Sequence, residues 1–594
     1  MTQFVGLGNF AFALQDEWFW KSLKNTGWLA LASGVPQHLV AIPLAVFIHH
    51  NFKSLRDGVI GAYFLPYITS TVAIAIMFSS LFSTDFGLVN VGLQALFGGE
   101  KIDWLNQASN IKPAIALIIF WRHLGFNVVL YLAALQTIPK DIYEAATMDR
   151  ASAMQQFWCI TLPSLRPMIY FAVSLSVIGG LQIFEEPFIL TGGRGGSDQA
   201  GMTAAVYLYR MAFDFNDFGG ASAMSWLLFV LVALLTWLTN RMLGHVARRL
   251  ELCPQGRRAA APAPPRGRRN TWGGPAFVSH EAAMNPNRLA PWAAHFIVGI
   301  GALIMLAPFY FMFVFATHSR TEIFNLPPPL WFGNDLGANV KILTDRLPFW
   351  RNLGWSLYVA LASTALTLLF CSMAGYAFAL MDFRFKNALF GLLMGTMLLP
   401  SFMSTIPSFM IMDALGWIDQ HRALYLPGAA SAFGIFLMRQ FAFTSVPKEL
   451  LEAARMDGCG ELGIYWRIVL PLMKPALGTL GLITFIGSWN NFIGPLIVMR
   501  SAENYTLPLA LRSLRTPTNT GYRVGRADGR LGHRHRALAA AVCGVVTAAD
   551  LRPDHGRGQV TWLLARMTPS SILHRCAPAT ARVHVHFKLN AKEA

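Results

Sequence analysis

The sequence predicts an all-α fold, a polytopic transmembrane helical bundle in two pseudo-symmetric halves with about ten membrane-length helices. Three observations carry that expectation. Of 594 residues, 54% are hydrophobic and only 13% charged, about half the charged content of an ordinary soluble domain. Apolar runs of roughly 20 residues, enough to cross about 30 Å of hydrocarbon, recur along most of the chain. Two polar stretches also match each other, with every pair 308 positions apart: Glu144-Ala145-Ala146-x-Met148-Asp149 leading to Ile160-x-Leu162-Pro163 and Pro167, and Glu452-Ala453-Ala454-x-Met456-Asp457 leading to Ile468-x-Leu470-Pro471 and Pro475.

The crossings are expected near 26-48, 58-83, 112-134, 168-190 and 221-244 in the first half, and near 290-317, 353-381, 387-413, 422-438 and 475-499 in the second. Six of them separate the matched stretches, and an even number returns the chain to the side it left. With that side taken as the cytoplasm, its loops hold roughly twice as many Lys and Arg as the ordered loops opposite, as the positive-inside rule requires. The formal charge of +17 is thus a membrane signature, and no nucleic-acid partner is expected. The cysteines show neither CxxC pairing nor a His at zinc spacing, so no metal is expected. No charged start precedes an apolar core at Met1, so no cleavable leader is expected.

The duplication extends beyond the loops. Phe19-Trp20 and Ala30-Leu31-Ala32-Ser33 recur 330 positions later as Phe349-Trp350 and Ala360-Leu361-Ala362-Ser363, while Ile178-Gly179 and Pro187 recur at 308 as Ile486-Gly487 and Pro495. The drop in offset places a longer outer loop in the first half, roughly 82-112. Matches of parallel orientation indicate two copies of one membrane unit, unlike the inverted repeats of many secondary transporters.

Within each loop, Ile142, Ala145 and Ala146, and likewise Leu450, Ala453 and Ala454, share one helical face by i, i+3, i+4 spacing. The alanines would leave a low ridge that another protein can approach. Glu144 and Glu452 are expected in the first turn after Pro139 and Pro447. Gly458 then frees the backbone to turn before a second short helix re-enters the membrane.

This pattern resembles the EAA loop of ATP-binding cassette importer permeases. Leu135-Gln136-x-Ile138-Pro139-Lys140 ahead of Glu144, Leu190-Thr191-Gly192-Gly193, Tyr207-x-Tyr209-x-x-Ala212-Phe213 and Gly220-Ala221-Ser222-Ala223 resemble the carbohydrate-uptake branch typified by maltose permeases. The first half resembles the MalF-type subunit. Residues from Met284 onward resemble the MalG-type, with Trp489-Asn490-Asn491-Phe492 and Tyr505-Thr506-Leu507-Pro508 as markers. The resemblance implies a multi-pass inner-membrane permease for a sugar, fed by an extracytoplasmic solute-binding protein. A separate ABC ATPase dimer would dock at Glu144, Ala145, Ala146, Asp149 and Arg150, and at Glu452, Ala453, Ala454, Asp457 and Gly458. The chain contains no G-x-x-x-x-G-K-[ST], so no catalytic residue and no bound cofactor are expected, ATP being used by the partner. Import of a polyol or glycerol phosphate, and ion-coupled carriage, are the alternatives.

The implied organisation is a MalF-like half over 1-244 lacking the family's first core helix, a basic Pro/Ala/Arg-rich linker over 245-283, a MalG-like half over 284-520, and an irregular basic tail over 521-594. A shifted reading frame would explain the tail, and a fused locus the linker. Arg150 stands where the second loop has Gly458, and a non-glycine residue at positive φ costs on the order of 1 kcal/mol, so the first loop is expected to be shifted. Ionisable groups inside spans are expensive and point to function. Arg122, Glu185 and Glu186, with Trp121, Asn127 and Phe184 supplying donors, acceptors and an aromatic face, are the candidate substrate path. Trp489, Asn490 and Asn491 are candidate gate residues.

Overall fold

The computed structural model describes residues 5–51, 56–250, 289–325, 328–397, 399 and 401–514. Every regular element among them is helical. The described residues form two compact units, one within 5–347, 401–410 and 508–514, the other within 348–399 and 411–507. Most of the linker and the whole 521-594 tail lie outside the described residues.

In the first unit the chain runs through α1 (Glu17–Asn51), α2 (Arg56–Ile68), α3 (Thr71–Leu81), α4 (Ala108–Leu135), α5 (Lys140–Met148), α6 (Arg166–Gly180), α7 (Phe218–Leu250) and α8 (Leu289–Ala316). Helix α7 continues to Leu250, so the first six residues of the expected linker are helical. The second unit contains α9 (Phe349–Leu380), α10 (Lys386–Thr396), α11 (Ala432–Ser445), α12 (Lys448–Met456) and α13 (Lys474–Trp489).

The expectation of ten crossings needs correction. Among the described residues six helices are long and apolar enough to cross, or eight if two sharply bent pairs count as one span each. The run at 58-83 is α2 and α3 bent by 95°. The runs at 387-413 and 422-438 break because helix ends at Thr396 and Tyr425 and resumes only at Ser401 and Ala432. The Pro427-Gly428 pair falls in the second of those breaks, where a proline removes a helical donor and constrains the residue before it.

Packing in the first unit centres on α1 against α4, with Leu29, Ala41 and Ile48 meeting a core that includes Ile111, Ile115 and Ile118, all fully buried. Membrane helices gain little from apolar burial against lipid, so close approach through small residues matters more. Tyr63 on α2 shows this on two sides. A Cβ on Gly125 of α4 would overlap the Tyr63 carbonyl, and one on Gly301 of α8 would overlap its hydroxyl. That hydroxyl donates to the Val298 carbonyl (3.3 Å), which seats α8 in the first unit.

The sequence repeat is visible inside each unit as the same fastening. Asn25 of α1 donates from Nδ2 to the Gln199 and Met202 carbonyls (3.1 and 3.0 Å), and Asn352 of α9 to those of Ala502 and Tyr505 (3.1 and 2.7 Å). Thr26 Oγ1 accepts from the Ala204 amide (2.8 Å), and Ser356 Oγ from the Leu507 amide (2.7 Å). An ion pair caps each tie, Lys21 with Asp198 (2.8 Å) and Arg351 with Glu503 (3.0 Å). Buried amides and hydroxyls need partners, and here the partners hold the start of each long helix to a distant loop.

Candidate coupling loops and substrate path

The two matched loops follow one backbone course. Pro139 (φ −59°, ψ 136°) and Pro447 (φ −63°, ψ 133°) are extended N-caps, and Asp149 and Asp457 are C-caps with identical angles (φ −77°, ψ 8°). The exits match as well, with Ala151 donating to the Ala146 carbonyl (2.9 Å) and Cys459 to that of Ala454 (3.0 Å). These 6→1 bonds across a left-handed residue form the C-terminal motif that satisfies the last helical carbonyls. The left-handed residue is Arg150 (φ 59°) in one loop and Gly458 (φ 77°) in the other. Contrary to expectation, the arginine does not shift the loop. Each loop then passes through a short helix and a π-helical turn, Phe157–Thr161 or Tyr465–Val469.

Two other expectations change. Glu144 and Glu452 lie mid-helix, because each proline is the cap and not the first helical residue, and the first-turn acids are Asp141 and Glu449. The alanine ridge is not uniformly open either. Ala145 is exposed and Ala146 half-buried, but Ala453 is half-buried and Ala454 buried, in a core with Leu451, Ile464 and Tyr465. The large apolar side chains exposed in both loops are Met148 and Met456 (84% each), Met154 and Leu462 (66% and 68%), and Trp158 and Trp466 (49% and 54%), and Ile142 is exposed in the first loop alone. The 308 offset pairs these positions too, and it was the available signal for finding them.

Helix α12 carries a brace that α5 lacks. Arg455 Nε donates to Glu461 (2.7 Å), whose other oxygen accepts from the Tyr376 hydroxyl of α9 (2.9 Å). In the first loop, Tyr143 instead shares a hydrogen bond with Thr161 (2.9 Å).

The structure brings some candidate path residues together. Arg122 of α4 pairs with Glu186 at 2.9 Å, their side chains 14% and 6% exposed. Glu186 therefore lies inside the protein, not in interfacial water, while Glu185 is half-buried. Trp121 packs edge-on against Phe78 (5.1 Å) and beside Phe309 (5.6 Å), and its buried indole N–H has no partner among the described residues. Phe184 stacks on Phe188 at 4.7 Å. Asn127 turns elsewhere, donating to Gln37 (3.2 Å), which in turn donates to the Ile119 carbonyl. Also in the first unit, His38 bridges Tyr131 (2.7 Å) and Ser176 (2.9 Å), a polar junction that sequence reasoning missed because its members lie far apart in the chain. In the second unit, Trp489 stacks on Phe485 (5.9 Å), Asn490 caps α13, and Asn491 accepts from the Gly494 amide (3.2 Å). These three residues mark the break between α13 and the following short helix.

The sequence matches the family model for "Binding-protein-dependent transport system inner membrane component" twice, over residues 41–252 and 368–549, more than half of the chain. It is 38% identical over 183 residues to the arabinooligosaccharides transport system permease protein AraQ of Halalkalibacterium halodurans, a match spanning 31% of this chain and 65% of that relative. It is 37% identical over 241 residues to the lactose transport system permease protein LacF of Rhizobium radiobacter, covering 40% of this chain and 80% of LacF. Among solved structures, a bacterial ABC transporter involved in import of the acidic polysaccharide alginate aligns with 25% identity and a TM-score of 0.37, over 42% of this chain and 85% of that one.

Proposed function

Because the chain belongs to the binding-protein-dependent transport system inner membrane components, a multi-pass inner-membrane family, we propose that it is the translocation subunit of an ATP-driven importer for sugars or oligosaccharides. Its two halves, 1-244 and 284-520, each supply one coupling loop. A dimer of separate ATPase subunits engages the loops around Glu144 and Glu452, and an extracytoplasmic binding protein delivers the ligand. The chain itself holds no nucleotide and performs no hydrolysis.

The carrying observation is that α5 and α12 share caps, exit turn and following π-helical turn. That shared shape suits two equivalent partner grooves, and closure of an ATPase dimer would move both loops together. On the ligand side, Arg122 is already paired with Glu186, which favours a neutral hydroxyl-rich solute over a phosphorylated one. An indole N–H and aromatic faces at Trp121 and Phe184 provide the donor and stacking surface such a solute uses.

Uptake of labelled oligosaccharide into vesicles containing the full chain, its ATPase and its binding protein tests this reading. Uptake should require ATP and fall by tenfold or more, on the order of 1.4 kcal/mol of coupling, in Glu452→Lys. Uptake without any ATPase, or indifferent to that substitution and to Glu144→Lys, would overturn it.

A further inference from the structure

In the second unit a cavity of about 510 Å³ opens where α9 ends and α10 begins, lined by Phe378, Asp382, Phe385, Lys386, Arg439 and Lys448 among others. Three cationic side chains face it against one carboxylate. The Lys386 ammonium donates to the Met381 carbonyl (2.6 Å) and stands 3.5 Å from Asp382, but the Asp382 side chain is fully exposed while that of Lys386 is 21% exposed. Arg439 is fixed by its bond to the Phe378 carbonyl (3.3 Å) and by stacking over Phe390 (4.1 Å). Lys448, the first residue of α12, has no ion pair among the described residues. The surplus is therefore positive, and its two lysines are compact point charges that bind phosphate without fixed geometry.

The surroundings indicate which anion fits. The cavity lies at the end of α9, a helix long and apolar enough to cross a membrane, and basic pockets beside the ends of such helices hold phosphate headgroups. Two of its lining residues, Phe385 and Phe443, are 65% and 62% exposed. Exposed rings beside a cationic pocket are costly in water and well matched to the glycerol backbone and acyl chains of a lipid. We infer that this cavity binds a phosphate-bearing anion, the headgroup of an anionic phospholipid, through Lys386 and Lys448. Since Lys448 opens the second coupling helix, an occupied cavity joins the α9–α10 corner to the loop on which the ATPase would act. The site is independent of the transported solute.

Native mass spectrometry of the full chain, released from nanodiscs of phosphatidylcholine containing a minor share of phosphatidylglycerol, tests the site. The wild-type chain should retain phosphatidylglycerol preferentially, and Lys386→Gln with Lys448→Gln should lower that preference by about tenfold or more. Lys386→Arg with Lys448→Arg, which keeps both charges, should restore it and so separates charge from misfolding. Equal retention by the wild-type and Gln variants would overturn the site. Amide exchange at 382–390 and 448–456 identifies the source of the phosphate. Protection by phosphatidylglycerol alone supports the lipid, whereas equal protection by inorganic phosphate overturns the lipid assignment.

Discussion

Helices α5 and α12 share a length of nine residues, a proline cap and an aspartate C-cap, yet their own unit holds them differently. No side chain of α5 is buried, whereas Leu451 and Ala454 of α12 are 2% and 6% exposed. The second loop also has the Arg455–Glu461–Tyr376 brace, and its left-handed position is a glycine. The loop's shape is therefore local, since caps and exit bonds reproduce it with or without a packed inner face. Its attachment is tertiary. A coupling element has to transmit force in both directions, and the comparison assigns the stiffer lever to the second half.

The largest way to break the comparison is through that inner face. Leu451→Ala should cost about 2–5 kcal/mol of stability, and Ala454→Leu about 1–3 kcal/mol by overpacking. The equivalent Ala146→Leu in the first loop should stay within about 0.5 kcal/mol. Thermal unfolding of the full chain in detergent reads all three, and equal losses in the two loops would erase the distinction.

Exchanging the turn residues sharpens it at a smaller scale. Gly458→Arg should cost on the order of 1 kcal/mol, the penalty of a side chain in the left-handed region. Arg150→Gly should gain less than that, because glycine loses more unfolded-state entropy on folding. Amide exchange at Ala151 and Cys459, whose N–H groups close the two turns, reports each change locally.

The smallest effects concern the outer fastenings. Burial raises the Asp419 pKa, but the hydroxyl and amide of Ser501 and the amide of Arg500 more than offset it, leaving the carboxyl below its usual value. A depressed folded pKa means that its stabilisation is fully present above an ordinary aspartate pKa near 3.9 and is lost as pH falls through the folded value. Exchange at Arg500 and Ser501 should accelerate over that acidic range and remain insensitive to salt. In the first half, Asp198 is lowered by its hydrogen bond from Lys21 in full solvent, so added salt should loosen that tie instead.

Much of this was legible in the sequence because it is periodic or local. Apolar runs announce crossings, and Pro139 and Pro447 announce the starts of the two loop helices through backbone chemistry that needs no distant partner. Other features were not legible. Nothing local requires Ala454 to be buried while Ala146 stays half-open, because burial depends on where α9 and α11 bring their side chains. The sharp bend at 58-83 and the interrupted runs at 387-413 and 422-438 were hidden by hydropathy, which counts apolar residues and ignores the direction of the chain.

The sequence by itself determined that the chain is a membrane-embedded helical protein built on a duplicated plan with two matched polar loops; that the loops share one backbone course despite Arg150 came from the structure. Length, hydropathy and fixed offsets are properties of the chain alone. Only the tertiary structure decided that Arg122 is neutralised by Glu186, that the second coupling helix has a buried inner face and a tie to α9 that the first lacks, and that Lys386, Arg439 and Lys448 line one cavity. Each of these depends on bringing together residues dozens of positions apart, and such proximity follows from packing.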